Sequence, residues 1–253
     1  MSIVAAWMVA AGAQGAEAAA AAKELKYEEP LLLTASIYSL DGDGRTLLYK
    51  FKRTATRSGS TLNVERDYTY LDGKPAAREH MVYNGDAIVL YELQELQLGA
   101  AGSAQVQAVP RGPGHSKLEF TYGVTNADRR KVRNEDLAES TLNNDMIGPF
   151  LAEHWDALAR GEKVKCRLIV VPRKETVGFT FTRQNEASWK GRKVLLVKME
   201  PTSPFISALV APLIFTLGKD PPHHVLQYVG RTTPKVQIKG KWKDLDAVTV
   251  FDW

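Results

Sequence analysis

The feature that most constrains this chain is a period of two, repeated in short runs and interrupted by turn residues. Over 31–39, and again over 45–54 through Leu47, Tyr49 and Phe51, apolar and polar residues alternate as half-buried strands require. Between these runs lies Asp41-Gly42-Asp43-Gly44, which opens like a calcium loop but lacks the later oxygen ligands and the terminal Glu. It reads as a hairpin turn. The same grammar continues through 61–71, a turn at Asp72-Gly73-Lys74, 75–83, a turn at Asn84-Gly85-Asp86, and 87–98. Strand, Asx-Gly turn, strand is the signature of an antiparallel meander.

Residues 99–116, GAAGSAQVQAVPRGPGHS, are rich in Gly, Ala and Pro and read as a flexible excursion before a strand over 117–124. The period then becomes helical. Met146, Ile147, Phe150, Leu151, Trp155 and Leu158 share one apolar stripe, with Asn144 as the expected N-cap and Gly161 as the stop. Pro149 fits only near the first turn, so the helix is expected to begin close to it. Alternation returns over 163–171, 176–183, 193–200, 225–231 and 245–253. Ten or eleven strands and one or two helices predict a mainly β (α+β) chain, with the helices packed on one large antiparallel sheet. Residues 23–253 are expected to form a single domain.

One segment departs from this grammar: SPFISALVAPLIFTLG, residues 203–218. Its 16 residues fall short of the roughly 20 that a helix needs to cross a bilayer, and Pro204 and Pro212 interrupt it. As a helix capped by Ser203, it places Phe205, Leu209 and Leu213 on one face and Ile206, Val210 and Leu217 over much of the rest. Such an element must be enclosed. Two readings remain open: plain core packing, or the wall or lid of a groove for an apolar guest.

Composition removes several classes of function. The net charge of +4 is mild, and the cations Arg231, Lys235, Lys239, Lys241 and Lys243 read as a solvated strand face or protected edge. With so small a basic excess, the strand aromatics Tyr68, Tyr70, Tyr83, Tyr91, Phe120 and Tyr122 read as cross-strand packing rather than a nucleic-acid platform. A single cysteine, Cys166, excludes an internal disulfide and reads as a small buried hydrophobe. His223-His224 has no third ligand in its vicinity, and Glu153, His154 and Asp156 diverge around a helix, so no metal and no catalytic residue is expected there. His80 and His115 are isolated. No phosphate loop, dinucleotide fingerprint, nucleophile elbow or zinc-protease helix is present. Residues 1–22, MSIVAAWMVAAGAQGAEAAAAA, read as a signal peptide or an Ala-rich leader, with small-x-small sites at Ala13-Gln14-Gly15 or Ala16-Glu17-Ala18 but without a basic n-region.

The order of TYLDGKPAAREHMVYN, GPFLAEHWDALARGEKVKCRLIVVPRKETVGFTFTR and SPFISALVAPLIFTLG with HHVLQYVGRTTPK resembles exported bacterial proteins allied to the periplasmic lipoprotein carriers LolA and LolB. The resemblance implies an unclosed half-barrel sheet with helices across its concave side, a periplasmic location, and a concavity that holds acyl chains or other lipidic molecules. One member of that wider fold is an enzyme, so catalysis stays open on this ground. No lipobox cysteine follows the leader, which speaks against a LolB-like anchor. The expected function is non-catalytic binding or carriage of a lipid or hydrophobic molecule, lined by Phe150, Leu151, Trp155, Phe205, Leu209 and Leu213, without a cofactor. Expected partners are that molecule and, transiently, the membrane surface or envelope proteins. The alternatives are an envelope scaffold whose core is filled by its own side chains, or an enzyme.

Overall fold

Alternation of this kind leaves each strand with one face to bury, and the chain answers by curling every strand into the same sheet. The computed structural model describes residues 30–40, 46–108, 116–125, 131–208 and 210–253. The leader, the Asp41-Gly42-Asp43-Gly44 turn, His115 and Leu209 lie outside the described residues.

The strands are β1 (Leu32–Ser39), β2 (Leu47–Ser58), β3 (Thr61–Thr69), β4 (Pro75–Asn84), β5 (Ala87–Glu95), β6 (Ala100–Ala108), β7 (Ser116–Val124) and β8 (Lys131–Asp136) in the first half. The second half contributes β9 (Thr141–Leu142), β10 (Val164–Val170), β11 (Glu175–Trp189), β12 (Arg192–Pro201), β13 (Leu213–Gly218), β14 (Val225–Ile238) and β15 (Lys241–Asp252). Three short helices, α1 (Ile147–Glu153), α2 (Trp155–Ala159) and α3 (Pro204–Ser207), complete the described elements with a 3-10 turn at Val171–Arg173. In space the order is 8-7-6-5-4-3-2-1-15-14-13-12-11-10-9, so the first strand lies beside the last and the chain meanders outward on both sides of that pair. All neighbours are antiparallel except β9 and β10.

The mainly β class and the single large antiparallel sheet are as the alternation predicts, and the curvature and unclosed edge are as the resemblance implies. The details differ in four places. Residues 100–108, expected as a flexible excursion, form β6: their small side chains let β5 and β7 close on both flanks. At Gly102 a Cβ would stand 2.1 Å from the Thr121 carbonyl oxygen, so only glycine fits. Strand β8 escapes the period-two reading because its KVRNED sequence is polar on both faces and mostly exposed. The expected helix after Asn144 is broken at His154, where φ and ψ of −98° and 15° leave helical geometry and separate α1 from α2. Pro149 is the third residue of α1, in the first turn, where its missing N–H leaves no helical bond unmade. Finally, the apolar segment is not one helix. Only Pro204–Ser207 is helical, and Leu213–Gly218 is a strand held between β12 and β14.

Curvature comes from register shifts in six of the strand pairs. The largest is in β14, where Arg231 pairs with Asp246 but Lys235 with Asp244, so four residues of β14 advance against two of β15. Gly230 precedes it with φ +147°, and a Cβ there would meet Leu213 Cγ at 2.6 Å. The curled sheet packs α1 and α2 inside: Phe150, Leu151 and Leu158 are buried against Leu62, Met81, Phe120 and Phe181 of the walls. A second, smaller core of Ala35, Ile37, Tyr49, Phe51, Tyr68, Ala77 and Leu245 lies beneath β1, β2 and β15.

The free edges are joined by side chains instead of a backbone ladder. Glu135 of β8 accepts from the Thr176 backbone N–H of β11 at 2.9 Å and pairs with Arg167 of β10 at 3.2 Å. Thr176 Oγ1 also donates to it. Burial alone would raise the Glu135 carboxyl, but the Thr176 hydrogen bonds and the Arg167 charge outweigh it and hold it below its ordinary 4.5. A depressed folded pKa stabilises above the unfolded value and ceases to do so as pH falls through the folded one. Amide exchange in β8 and the start of β11 is therefore expected to accelerate as pH drops below 4.5, and Glu135→Gln to remove that pH dependence. Hydrogen exchange read against pH, corrected for intrinsic rates, tests this; equal dependence in the variant would contradict it.

Candidate ligand cavity

Between α1 and the curled sheet runs a cavity of about 770 Å³. At one end it meets His223, His224 and Trp253; at the other it meets Pro172, Ile206 and Val210. Its apolar wall includes Leu33, Ile147, Leu213, Val225 and Phe251. Its other wall is polar, and that polarity is built from the strands' inward-facing positions.

On β3 the inward phase runs Leu62, Val64, Arg66, Tyr68; on β4 it runs Glu79, Met81, Tyr83. Register sets Arg53 of β2 opposite Arg66, and Arg66 opposite Glu79. Two arginines side by side in a barrel interior repel unless neutralised. Arg66 Nη1 lies 3.0 Å from Glu79 Oε2, and Arg53 meets Asp145 in a bidentate pair of 2.6 and 2.9 Å. Side-chain exposures of 5% for Arg53, 4% for Asp145 and 0% for Glu79 place these charges well away from water. The Arg66 guanidinium also stands 5.1 Å from the Phe51 ring centroid.

Glu79 gathers further donors. Tyr91 Oη, Asn144 Nδ2 and Thr233 Oγ1 lie 3.1, 3.0 and 2.8 Å from Oε1, and Tyr68 Oη lies 3.3 Å from Oε2. Burial raises Tyr68, Tyr83 and Tyr91 well above the ordinary phenol value, so they stay protonated donors. Burial opposes the Arg66 charge, but the field of Glu79 overcomes it and holds the guanidinium protonated. Thr233 reaches this row because the β14 bulge folds inward. The same bulge brings Lys235 to Glu95 at 2.9 Å, and the Lys235 backbone N–H to Gln97 Oε1 at 2.7 Å.

The helices are fastened to the row by three consecutive residues. Asn143 Oδ1 accepts from Tyr83 Oη at 3.0 Å and from the backbone N–H of Asp145, also at 3.0 Å; Asn144 donates to Glu79; Asp145 pairs with Arg53. Asn144, expected as a helix cap, is thus an anchor, and α1 starts after Met146 without a side-chain cap. At the far end two stacks hold the loop between β13 and β14: His223 on Trp155 at 3.9 Å and His224 on Trp253 at 3.6 Å. Burial lowers the pKa of His224. Cys166 is buried, and burial pushes its thiol up to about 12, which disfavours a reactive thiolate. Among the described residues no three or more His, Cys, Asp or Glu gather as a metal site.

The six residues predicted from sequence fall in different places. Leu213 lines the cavity. Phe150 and Leu151 are buried in the core, while Gly148, Pro149 and Ala152 of α1 line the cavity and Ile147, on the same face as Phe150 and Leu151, touches both. Trp155 packs on the core edge and clamps His223. Phe205 requires correction: it is 85% exposed, because the helix ends after one turn and leaves the ring on the outer side of the loop. Leu209 lies outside the described residues. The polar row was missed altogether. Its trace in the sequence is the appearance of Arg66 and Glu79 in phase with apolar inward positions.

Fold and cavity together define a mainly β protein with one barrel-like, unclosed sheet around a partly polar hollow. No family model matches the chain, and no curated protein matches it. Among solved structures it is similar to a beta-barrel-like protein of the domain of unknown function DUF1849 from Brucella abortus. The two share 10% identity and a TM-score of 0.38, over 88% of this chain and 98% of that one.

The buried pairs make a direct prediction. Asp145→Ala leaves two adjacent arginines with one counter-charge and is expected to cost about 3–5 kcal/mol. Replacing both partners, as Arg53→Met with Asp145→Leu, is expected to cost much less. Urea unfolding of the two variants measures the difference.

Proposed function

We propose that this protein binds or carries a lipid or other hydrophobic molecule in the periplasm without catalysis, in the manner of the LolA and LolB carriers. The observation that carries the reading is the cavity of about 770 Å³, within the 300–1,000 Å³ range of small-molecule sites. Apolar atoms of a guest seated on Leu33, Ile147, Leu213, Val225 and Phe251 would leave water at a gain of about 25 cal/mol per Å².

The polar row adds a preference. Arg53 and Arg66 are balanced by Glu79 and Asp145, so the row presents no net charge to a guest. An uncharged polar head, such as an ester or hydroxyl, meets it at lower cost than a carboxylate or ammonium. The function proposed is therefore accommodation of an amphiphile, with its tail along the apolar wall and its head toward Arg66, Tyr68 and Thr233.

Native mass spectrometry of protein purified from its source, followed by lipid extraction, is expected to reveal one apolar passenger per chain. A clean apo mass, together with no displacement of a bound fluorescent dye by neutral lipids, would defeat the reading. Ile147→Trp, which pushes an indole into the hollow, is expected to weaken dye binding on the order of tenfold, equivalent to about 1.4 kcal/mol. Far-UV circular dichroism confirms that the variant is folded.

A further inference from the structure

Exposed hydrophobic side chains are unevenly placed on this molecule. Thirteen large ones stand exposed among the described residues, and six of them, Leu71, Leu96, Leu98, Phe205, Ile238 and Trp242, lie in or beside four connections at one end of the sheet. These are the β3–β4, β5–β6, β12–β13 and β14–β15 connections. At the opposite end the described connections Gly59-Ser60, Gly85-Asp86, Lys190-Gly191 and 219–224 contain no exposed large hydrophobic residue, and the exposed Leu31, Leu32 and Trp253 there lie at or beside the start of β1 and the end of β15.

The four connections are neighbours in space as well as in direction. Strands β12, β13, β14 and β15 are adjacent in the sheet, so the loop bearing Phe205 and the hairpin bearing Trp242 emerge side by side. Gln97, between Leu96 and Leu98, donates to Tyr70 Oη at 2.7 Å beside Leu71, and to the Lys235 carbonyl oxygen at 3.0 Å at the base of that hairpin.

Two further properties fit this end for a lipid surface. Four backbone N–H groups of the Phe205 loop are paired within it: Ile206, Ser207, Ala208 and Val210 donate to Ser203, Ser203, Pro204 and Ile206 carbonyl oxygens at 2.9–3.1 Å. Backbone groups already paired enter a water-poor interface without loss of hydrogen bonds. No charged residue occurs over 203–218. The adjacent hairpin is different: residues 236–243 hold Lys239, Lys241 and Lys243 around Trp242, with no acidic residue. Apolar tips flanked by lysines beside a tryptophan complement an anionic headgroup layer above acyl chains.

We infer that this end docks on a bilayer containing anionic lipid, with Phe205 and Trp242 entering the interface and the hairpin lysines on the headgroups. The inner side of the same loop, through Ile206 and Val210, is a wall of the cavity. Docking does not require the hollow to hold a lipid, so it stands or falls independently of the proposed cargo.

Vesicle flotation with the full chain tests it, using phosphatidylcholine alone and phosphatidylcholine mixed with phosphatidylglycerol. The protein is expected to float with the mixed vesicles, and less so at high salt. Phe205→Ser with Trp242→Ser is expected to reduce binding on the order of tenfold or more. Replacing Lys239, Lys241 and Lys243 with Gln is expected to lower the anionic preference by on the order of a hundredfold. Leu32→Ser, at the opposite end, is expected to change nothing. Thermal unfolding of each variant excludes misfolding as the cause. Failure to float with either vesicle, or equal loss in the Leu32 variant, overturns the inference. A stable dimer in solution that Phe205→Ser dissociates would assign the patch to a second copy of the chain and overturn it equally.

Discussion

Two arginines facing each other across neighbouring strands inside a barrel set the terms for the rest of this structure. Arg53 and Arg66 are opposed by register, so each needs its own anion. Glu79 comes from the next strand, while Asp145 comes from the segment that leads into the internal helix. The second pairing explains why the helices sit inside the curl of the sheet: apolar burial favours any orientation that hides Phe150 and Leu151, but the Arg53 pair admits one. Asn143 and Asn144 reinforce it from the two preceding positions.

The same row explains the shape of the hollow. A sheet of fifteen strands curled around an unbroken apolar interior would collapse until side chains filled it. Here the β14 bulge sends Thr233 and Lys235 across to Glu79 and Glu95, tying residues 154 positions apart at the first of these contacts. These ties divide the interior into a large core around the helices and a small one beneath β1, β2 and β15. The cavity follows the boundary, apolar toward α1 and polar toward the row. Buried charged groups held by several partners, as Glu79 is by Tyr68, Tyr91, Asn144 and Thr233, are stiff, and a stiff wall keeps a space open that a soft apolar wall would close.

Much of the fold was legible in the sequence because a strand's period of two is written in adjacent residues. The Asx-Gly turns marked the meander, and the alternation marked the walls. What failed had local physical causes. β6 is built from small residues that carry little hydrophobic signal, and β8 is polar on both faces because it lies at a free edge. The apolar segment at 203–218 looked uniform, yet Pro204 and Pro212 divided it into a single helical turn, a short linker and a strand paired on both sides.

By itself, then, the sequence determined the β class, the antiparallel meander and the presence of a helical element, since each depends on neighbours a few positions apart. The polar row, the hollow beside it and the clustering of exposed apolar tips at one end were decided only in three dimensions. Charge neutrality at Arg66 is a matter of cross-strand register, and Thr233 reaches Glu79 only through a bulge whose direction no local pattern encodes. Likewise, Leu98, Phe205 and Trp242 are unremarkable surface residues one at a time. They become a surface because four connections emerge together, and that proximity follows from strand order, which is set by the pairing of β1 with β15.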